Sequence, residues 1–97
     1  MKNLFDIKGK VIVITGGCGI LGKNIANYLA EQGAKIVVLD RAAEIGKELE
    51  AELNQKSEAL FLVTDVLNKE VLEENKKAIL ERFGTIDVLL NAAGGNM

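Results

Sequence analysis

Histidine and proline are absent from this chain of 97 residues, and cysteine occurs only once. Without histidine, the sequence cannot build a Ser-His-Asp triad or a zinc site of Cys and His ligands. A single cysteine also excludes an internal disulfide framework. The function of the chain therefore has to rest on other groups, and no metal site is expected.

Neither sign of charge dominates, since 12 basic and 14 acidic residues leave a net charge of −2 at pH 7. Bulk charge therefore gives no reason to expect nucleic-acid binding. No apolar run approaches the roughly 20 residues that a membrane-spanning helix needs. The amino end also lacks the basic, then apolar, pattern of a secretory leader. These absences predict a cytoplasmic protein with neither a nucleic-acid nor a membrane partner.

Glycine, in contrast, is frequent, and four of the 10 glycines fall between Gly16 and Gly22. They follow residues 11–14, a run of four β-branched residues that is typical of a strand buried on both faces. An apolar stripe with helical spacing comes next. Its members are Ile20 or Leu21, Ile25 and Leu29. Gly33 is well placed to end this helix.

The rest of the chain repeats this alternation. Apolar runs at residues 36–39, 59–63 and 86–90 predict three more strands, and the segments between them predict helices at residues 42–56 and 68–84. Asn68 is expected to cap the last helix and Gly84 to end it. Strands joined by single helices run parallel with right-handed crossovers. The sequence therefore predicts an α/β fold, the N-terminal half of a doubly wound Rossmann sheet with strand order 3-2-1-4.

One glycine does not fit this scheme easily. Gly46 lies inside the second predicted helix, where glycine costs about 1 kcal/mol relative to alanine. The predicted sheet also has only one helix on its second face, and its fourth strand would be a bare apolar edge. We therefore expect residues 1–97 to be a truncated part of one larger domain, or to be completed by another chain.

The glycine cluster has the spacing of a dinucleotide fingerprint. Gly17, Gly19 and Gly22 form a G-x-G-x-x-G pattern between a strand and a helix. The first glycine would allow a tight turn, the second would let a pyrophosphate approach the backbone, and the third would let the helix pack closely. Free amides and the helix dipole at that point favour a phosphate.

Two residues at the end of the second strand bear on the choice of cofactor. Asp40 lies about as far beyond the loop as the acidic residue that bonds the adenosine ribose of such cofactors. Its charge would repel a ribose 2′-phosphate, which favours NAD over NADP. Arg41 leaves NADP open, because a neighbouring arginine can accommodate that phosphate.

Cys18, near the helix start, is expected to have a lowered thiol pKa, although it is more simply interpreted as a small loop residue.

Three motifs together resemble the short-chain dehydrogenase/reductase family. They are residues 15–22 (TGGCGILG), Asp65-Val66, and residues 91–94 (NAAG). The resemblance implies a cofactor site whose residues come from all three motifs and from the end of the second strand. The implied set is Thr15, Gly16, Gly17, Gly19, Ile20, Leu21 and Gly22 at the pyrophosphate, Asp40 and Arg41 at the ribose, Asp65 and Val66 at the adenine, and Asn91, Ala92, Ala93 and Gly94 at the nicotinamide end.

The family's proton-transferring residues are missing from this stretch. They are a serine and a Tyr-x-x-x-Lys pair beyond the fourth strand, whereas the only tyrosine here, Tyr28, is followed four residues later by Gln32. The resemblance thus implies no catalytic residue in these 97 residues, with Asn91 in a supporting role. The glycine spacing differs from the commonest family pattern and fits that of the extended branch and of some sugar-acid oxidoreductases.

The implied function is the cofactor-binding portion of an NAD-dependent oxidoreductase that interconverts a hydroxyl and a carbonyl. Residues 94–97 are similar to members that act on sugar acids such as fructuronate or mannonate. The resemblance also implies a small-molecule substrate and a homo-oligomeric full-length protein. Two alternatives stay open at this point. One is an NAD-binding module without hydride transfer, and the other is a short chain that associates through its fourth strand.

Overall fold

Strands and helices alternate along residues 6–92, which are the residues described by the computed structural model. The elements are β1 (Val11–Thr15), α1 (Ile20–Glu31), β2 (Lys35–Asp40), α2 (Ala43–Asn54), β3 (Ala59–Val63), α3 (Lys69–Phe83) and β4 (Val88–Asn91). All seven predicted elements are present. The largest shifts are of two residues, at the end of α2, which comes earlier than predicted, and at the start of β4, which comes later. Asp87 before it accepts a hydrogen bond from the Val11 amide at 2.8 Å and holds the start of β1.

The four strands form one parallel sheet in the order β3-β2-β1-β4, as predicted. The register pairs Thr15 with Leu39 on one side and with Asn91 on the other, and it pairs Asp40 with Val63. Because all strands point the same way, their carboxyl ends meet at one edge of the sheet. The glycine loop, Asp40 and Asn91 are therefore neighbours in space although they are far apart in sequence.

Both faces of the sheet are covered by helices, and alternate residues of each strand pack on opposite sides. Ile12 and Ile14 belong to a core beneath α1 and α2, whereas Val11 and Val13 pack with Ile79 of α3. All four consecutive residues of β1 are buried, which confirms the predicted strand covered on both faces. The first two helices lie on one face and the third on the other, as expected for this topology.

The contact face of α1 differs from the predicted one. Its buried residues are Gly22, Ala26 and Ala30, whereas the side chains of Ile20 and Leu21 are 82% and 56% exposed. Ile25 and Leu29, the other members of the predicted stripe, are partly buried and pack against the core, so the contact face overlaps the predicted stripe but is centred about one residue further on. The physical reason is the close approach of α1 to the glycine loop, where a Cβ on Gly22 would lie 2.6 to 2.8 Å from the loop backbone.

Gly46 explains how α2 packs on the sheet. A Cβ atom at this position would lie 2.1 Å from ring carbons of Phe61 on β3, and both residues are buried. The glycine thus makes room for an aromatic ring that fills the core between α2 and β3. Leu49 and Leu53 are buried on the same helix face, whereas Ile45, which has the same four-residue spacing, is exposed.

The third helix is bounded by the two predicted residues. The Asn68 side chain accepts hydrogen bonds from the amides of Glu70 and Val71, and Gly84 ends the helix with a left-handed φ of 83°. A buried polar residue, Asn75, was not predicted. It lies at helical spacing between Leu72 and Ile79, so it shares their contact face.

An open groove lies between α3 and β4. Its apolar lining comes from Val13 and Leu39 of the sheet, Leu72 and Ile79 of α3, and Leu89 of β4, and it encloses about 600 Å³. Leu89 is 65% exposed, and Val88 is exposed as well. The fourth strand is therefore an exposed apolar edge of the described sheet, as expected.

Candidate functional site

The glycine loop begins with a left-handed turn at Gly16, whose φ is 70°. Glycine adopts this conformation without the steric cost that a Cβ atom would bring. The sequence pattern assigns the tight turn to Gly17, so this detail of the prediction is wrong by one residue. The Gly16 amide donates to the Leu39 carbonyl at 2.8 Å, which fixes the turn against the end of β2.

The three glycines of the fingerprint are needed for different reasons. A Cβ on Gly17 would lie 2.8 Å from a Val38 methyl carbon, and one on Gly22 would lie 2.6 to 2.8 Å from the loop backbone. At Gly19, however, the nearest atom would be the Gly16 carbonyl oxygen at 3.8 Å. The φ of −74° at Gly19 also suits any residue. The fold itself therefore requires Gly17 and Gly22, whereas Gly19 leaves an open space beside the loop.

The amino end of α1 faces this space. Gly19 is the N-cap residue, it supplies no side-chain cap, and the first turn of α1 contains no acidic residue. The first amides of a helix lack partners within the helix and carry the positive end of its dipole. The geometry suits a phosphate group that approaches the backbone at Gly19.

Asp40 lies at the end of β2, directly beside the glycine loop. Its Oδ2 atom accepts a hydrogen bond from the Cys18 amide, and its Oδ1 atom accepts one from the Ala42 amide, both at 3.0 Å. The side chain is half-buried, so part of the carboxylate can still face a ligand. The sequence predicts a ribose ligand at this residue but gives no sign of its bond to the loop.

A small cavity of about 120 Å³ lies between the ends of β2 and β3. It is lined by Gly16, Leu39, Asp40, Arg41, Thr64 and Val66. Four of these belong to the predicted cofactor site. Asp65 is not among the lining residues, and its side chain is exposed and accepts a hydrogen bond from the Leu67 amide at 3.0 Å. A role of Asp65 toward an adenine ring stays a prediction.

A buried polar pair supports the cavity wall, and sequence reasoning missed it. The Asn75 amide group donates to the Thr64 hydroxyl at 2.6 Å, and that hydroxyl donates to the Leu62 carbonyl at 2.9 Å. This chain of hydrogen bonds ties α3 to the end of β3. The available signal was an asparagine on the apolar face of a helix, because a polar residue there needs a buried partner.

Thr15 and Asn91 meet where β1 and β4 end. The Thr15 hydroxyl lies 3.1 Å from the Asn91 side-chain oxygen and 3.4 Å from the Leu90 carbonyl. The structure thus brings together two predicted site residues that are 76 positions apart. The predicted site residues Ala93 and Gly94 lie outside the described residues.

The residue that directly follows each of β1, β3 and β4 is fixed to the neighbouring strand by a backbone hydrogen bond. The Gly16 amide bonds to β2 as described above, the Thr64 amide donates to the Asp40 carbonyl at 2.8 Å, and the Ala92 amide donates to the Thr15 carbonyl at 2.9 Å. The sheet hydrogen bonding therefore continues into the residues that form the candidate site.

Cys18 does not behave as its position in the loop suggests. Burial, followed by the negative charge of Asp40, raises the pKa of its thiol to about 11, although Lys23 acts in the opposite direction. The expected lowering of this pKa by the helix start is therefore wrong. Desolvation penalises the charged thiolate, and the neighbouring carboxylate of Asp40 penalises it further.

We expect Cys18 to react slowly with a thiol reagent at neutral pH, because the thiolate is the reactive form.

The raised pKa also makes folding pH-dependent, since the thiol ionises more easily when unfolded. The protonated thiol therefore stabilises the folded protein fully below about pH 9, and this stabilisation is lost as the pH rises toward about 11. The free energy of unfolding, measured by denaturation between pH 8 and 11, should fall over this range. It should fall less in Cys18→Ala, which lacks the thiol. Identical curves for the two proteins would contradict the burial effect.

Other kinds of site find no support between residues 6 and 92. No helix there combines the length and apolar character of a membrane span. In the same stretch, no three acidic or cysteine side chains come together as metal ligands would.

Known proteins with similar sequences point to one family. The sequence profile of the short chain dehydrogenases matches residues 10–97. UxuB, an uncharacterized oxidoreductase of Bacillus subtilis (strain 168), is 41% identical over 92 residues, which cover 94% of this chain and 33% of the relative. The chain spans about a third of the length of the curated relatives it matches.

Solved structures agree with the fold. A candidate D-mannonate oxidoreductase from Haemophilus influenzae with bound NAD has a TM-score of 0.87 and 38% identity, with 95% of this chain and 33% of that chain covered. An L-sorbose reductase from Gluconobacter frateurii, complexed with NADPH and L-sorbose, has a TM-score of 0.86 and 33% identity. That match covers 94% of this chain and 35% of the reductase. Similar structures thus contain either cofactor.

Proposed function

The chain belongs to the short-chain dehydrogenase family, and we propose that it forms the cofactor-binding part of an NAD-dependent oxidoreductase. Residues 1–97 would then be part of one larger nucleotide-binding domain. The observation that carries this proposal is the space at Gly19, where a Cβ would meet nothing closer than 3.8 Å beside an uncapped helix start. The fold does not require glycine at this position, so we explain Gly19 by a ligand that needs the space beside it.

The residues divide the proposed ligand into three parts. The loop backbone from Gly16 to Gly22 would bind the pyrophosphate, with the exposed side chains of Ile20 and Leu21 beside it. Asp40 would bond the adenosine ribose, and the cavity wall at Val66 would contact the adenine. Thr15 would belong to the pyrophosphate loop and contact Asn91, which would lie toward the nicotinamide end, where the family motif continues through Ala92, Ala93 and Gly94.

A bound nicotinamide cofactor supplies hydride transfer, and the residues of this chain bind and orient it. The Asp40 carboxylate would bond the adenosine ribose, and the first amides of α1 would bind the pyrophosphate. Proton transfer needs a group outside this set, because Tyr28 is 61% exposed on α1 and has no lysine four residues later. We therefore expect no turnover from these residues alone, and we assign proton transfer to a serine and a Tyr-x-x-x-Lys pair elsewhere in the protein.

We propose a sugar or sugar acid as the substrate class. The support is similarity to a candidate D-mannonate oxidoreductase and to an L-sorbose reductase. The test is to follow NADH oxidation by the purified full-length protein with fructuronate, with a neutral ketose and with a simple ketone lacking hydroxyls. Turnover of the simple ketone alone would contradict the substrate class, and failure to bind either NAD or NADP would contradict the proposed function.

The Asp40→Ala variant should discriminate less between the two cofactors. Removing the carboxylate removes its repulsion of a ribose 2′-phosphate and its bonds to the ribose hydroxyls. We expect the ratio of the NADP and NAD dissociation constants to fall about tenfold, which corresponds to ~1.4 kcal/mol. Calorimetric titration of both cofactors measures this ratio. Arg41→Ala is the matched control and should weaken NADP more than NAD. An unchanged ratio in Asp40→Ala would show that Asp40 is not the ribose ligand.

A further inference from the structure

The carboxylate of Asp40 is bound to the glycine loop. Its Oδ2 atom accepts the Cys18 amide at 3.0 Å, a bond between residues 22 positions apart. We propose that Asp40 is a positioning residue for the glycine loop, so that pyrophosphate binding and ribose binding depend on the same carboxylate. This inference deepens the proposed function, since it takes the loop to be the pyrophosphate site.

The middle of the loop has few other attachments. At its start, the Gly16 amide bonds to Leu39, and inside it the Gly19 amide reaches the Gly16 carbonyl only at 3.4 Å. The Cys18 thiol adds a weak contact of 3.9 Å to the Ala42 carbonyl. The Gly19 carbonyl accepts the Lys23 amide at 2.9 Å, which ties the loop only to its own helix. The 3.0 Å bond from Cys18 to Asp40 has a charged acceptor and is the shortest described link from the loop centre to the neighbouring strand.

Asp40 can hold the loop and a ribose at once. An ionised carboxylate offers about four lone-pair sites on its two oxygens. The amides of Cys18 and Ala42 use one site on each oxygen, which leaves one on each for the two ribose hydroxyls. Binding therefore does not have to break the loop contact. Loss of the carboxylate, in contrast, would release the loop and leave the Cys18 amide without its acceptor.

The first test distinguishes the role of Asp40 toward the loop from its role toward the ribose, because it changes both the protein and the ligand. NAD and an NAD analogue lacking both adenosine ribose hydroxyls are titrated calorimetrically into the wild-type protein and into Asp40→Asn. Asparagine has the same shape but is uncharged and has one acceptor oxygen, so it either gives up the Cys18 amide to keep the Ala42 amide or holds Cys18 through a weaker, uncharged bond. We expect the variant to bind even the analogue about tenfold more weakly, or worse. Equal binding of the analogue by both proteins would overturn the proposal.

The second test needs no cofactor, so it holds even if NAD fails to bind and the proposed function is wrong. Hydrogen exchange of the Gly19 amide reports on the loop itself, one residue away from the bond to Asp40. We expect faster exchange in Asp40→Asn. Asp87→Asn is the matched control, because its carboxylate accepts the Val11 amide at the opposite edge of the sheet. Unchanged exchange in Asp40→Asn, or equal acceleration in both variants, would overturn the proposal.

Discussion

Gly19→Val should abolish cofactor binding while the protein stays folded. The new Cβ would meet no atom of the protein closer than 3.8 Å, so the fold can accept it. Its methyl groups would fill the space through which a pyrophosphate approaches the first amides of α1. We expect the NAD dissociation constant to rise at least about a hundredfold, or ~2.7 kcal/mol. Calorimetric titration gives the affinity, and urea denaturation gives the stability.

Two further variants make this result specific. Gly19→Ala adds only the Cβ and should weaken binding less than valine does. Asn24→Val places the same β-branched side chain at an exposed position of α1, one turn further on, and should leave NAD affinity unchanged. If Gly19→Val binds NAD normally, the space beside the loop does not receive the pyrophosphate.

Gly46→Ala should destabilise the protein, although helix propensity predicts the opposite. Alanine is favoured over glycine inside a helix by about 1 kcal/mol. Here, however, the added Cβ would lie 2.1 Å from the buried Phe61 ring. Overpacking of this kind costs roughly 1 to 3 kcal/mol, and we expect a value near the upper end. The free energy of unfolding from urea denaturation measures the change, and a gain in stability would show that the ring moves aside freely.

The Phe61 ring can itself be changed to test the cause. In a Phe61→Leu background, the smaller side chain leaves room for the new Cβ, so Gly46→Ala should cost much less. Such coupling between neighbouring residues is typically about 0.5 to 3 kcal/mol. Ala51→Gly, at an exposed position of α2, measures the helix propensity without the clash and should cost about 1 kcal/mol. Equal effects of Gly46→Ala in both backgrounds would exclude the ring as the cause.

The sequence predicted the order of elements because periodicity along the chain records which side chains need burial. The four β-branched residues of β1 and the asparagine and glycine that bound α3 act locally, so their roles can be read locally. The side of α1 that faces the sheet could not be predicted this way. Ile20 and Leu21 have the stronger apolar signal, but the close approach of two backbones selects Gly22, Ala26 and Ala30 instead.

The candidate site was only partly predictable for a related reason. The glycine spacing and Asp40 identify a nucleotide loop, because a ligand's chemistry requires those residue types. The bond from Asp40 to Cys18, the Thr64–Asn75 pair and the ring above Gly46 join segments that are distant along the chain. The spacing of residues within one segment contains no information about such partners. It also does not reveal that Cys18 becomes buried, which is what raises the pKa of its thiol.

The backbone bonds that fix the residues after β1, β3 and β4 to neighbouring strands have an entropic consequence. A segment that must become ordered when its ligand arrives loses conformational freedom, and that loss is subtracted from the affinity. Here the Gly16, Thr64 and Ala92 amides already extend the hydrogen bonding of the sheet beyond its strands. A nucleotide would therefore meet a backbone that is already ordered at these residues. We expect its binding enthalpy to be only weakly offset by ordering of the protein, and its association rate to be little limited by loop rearrangement.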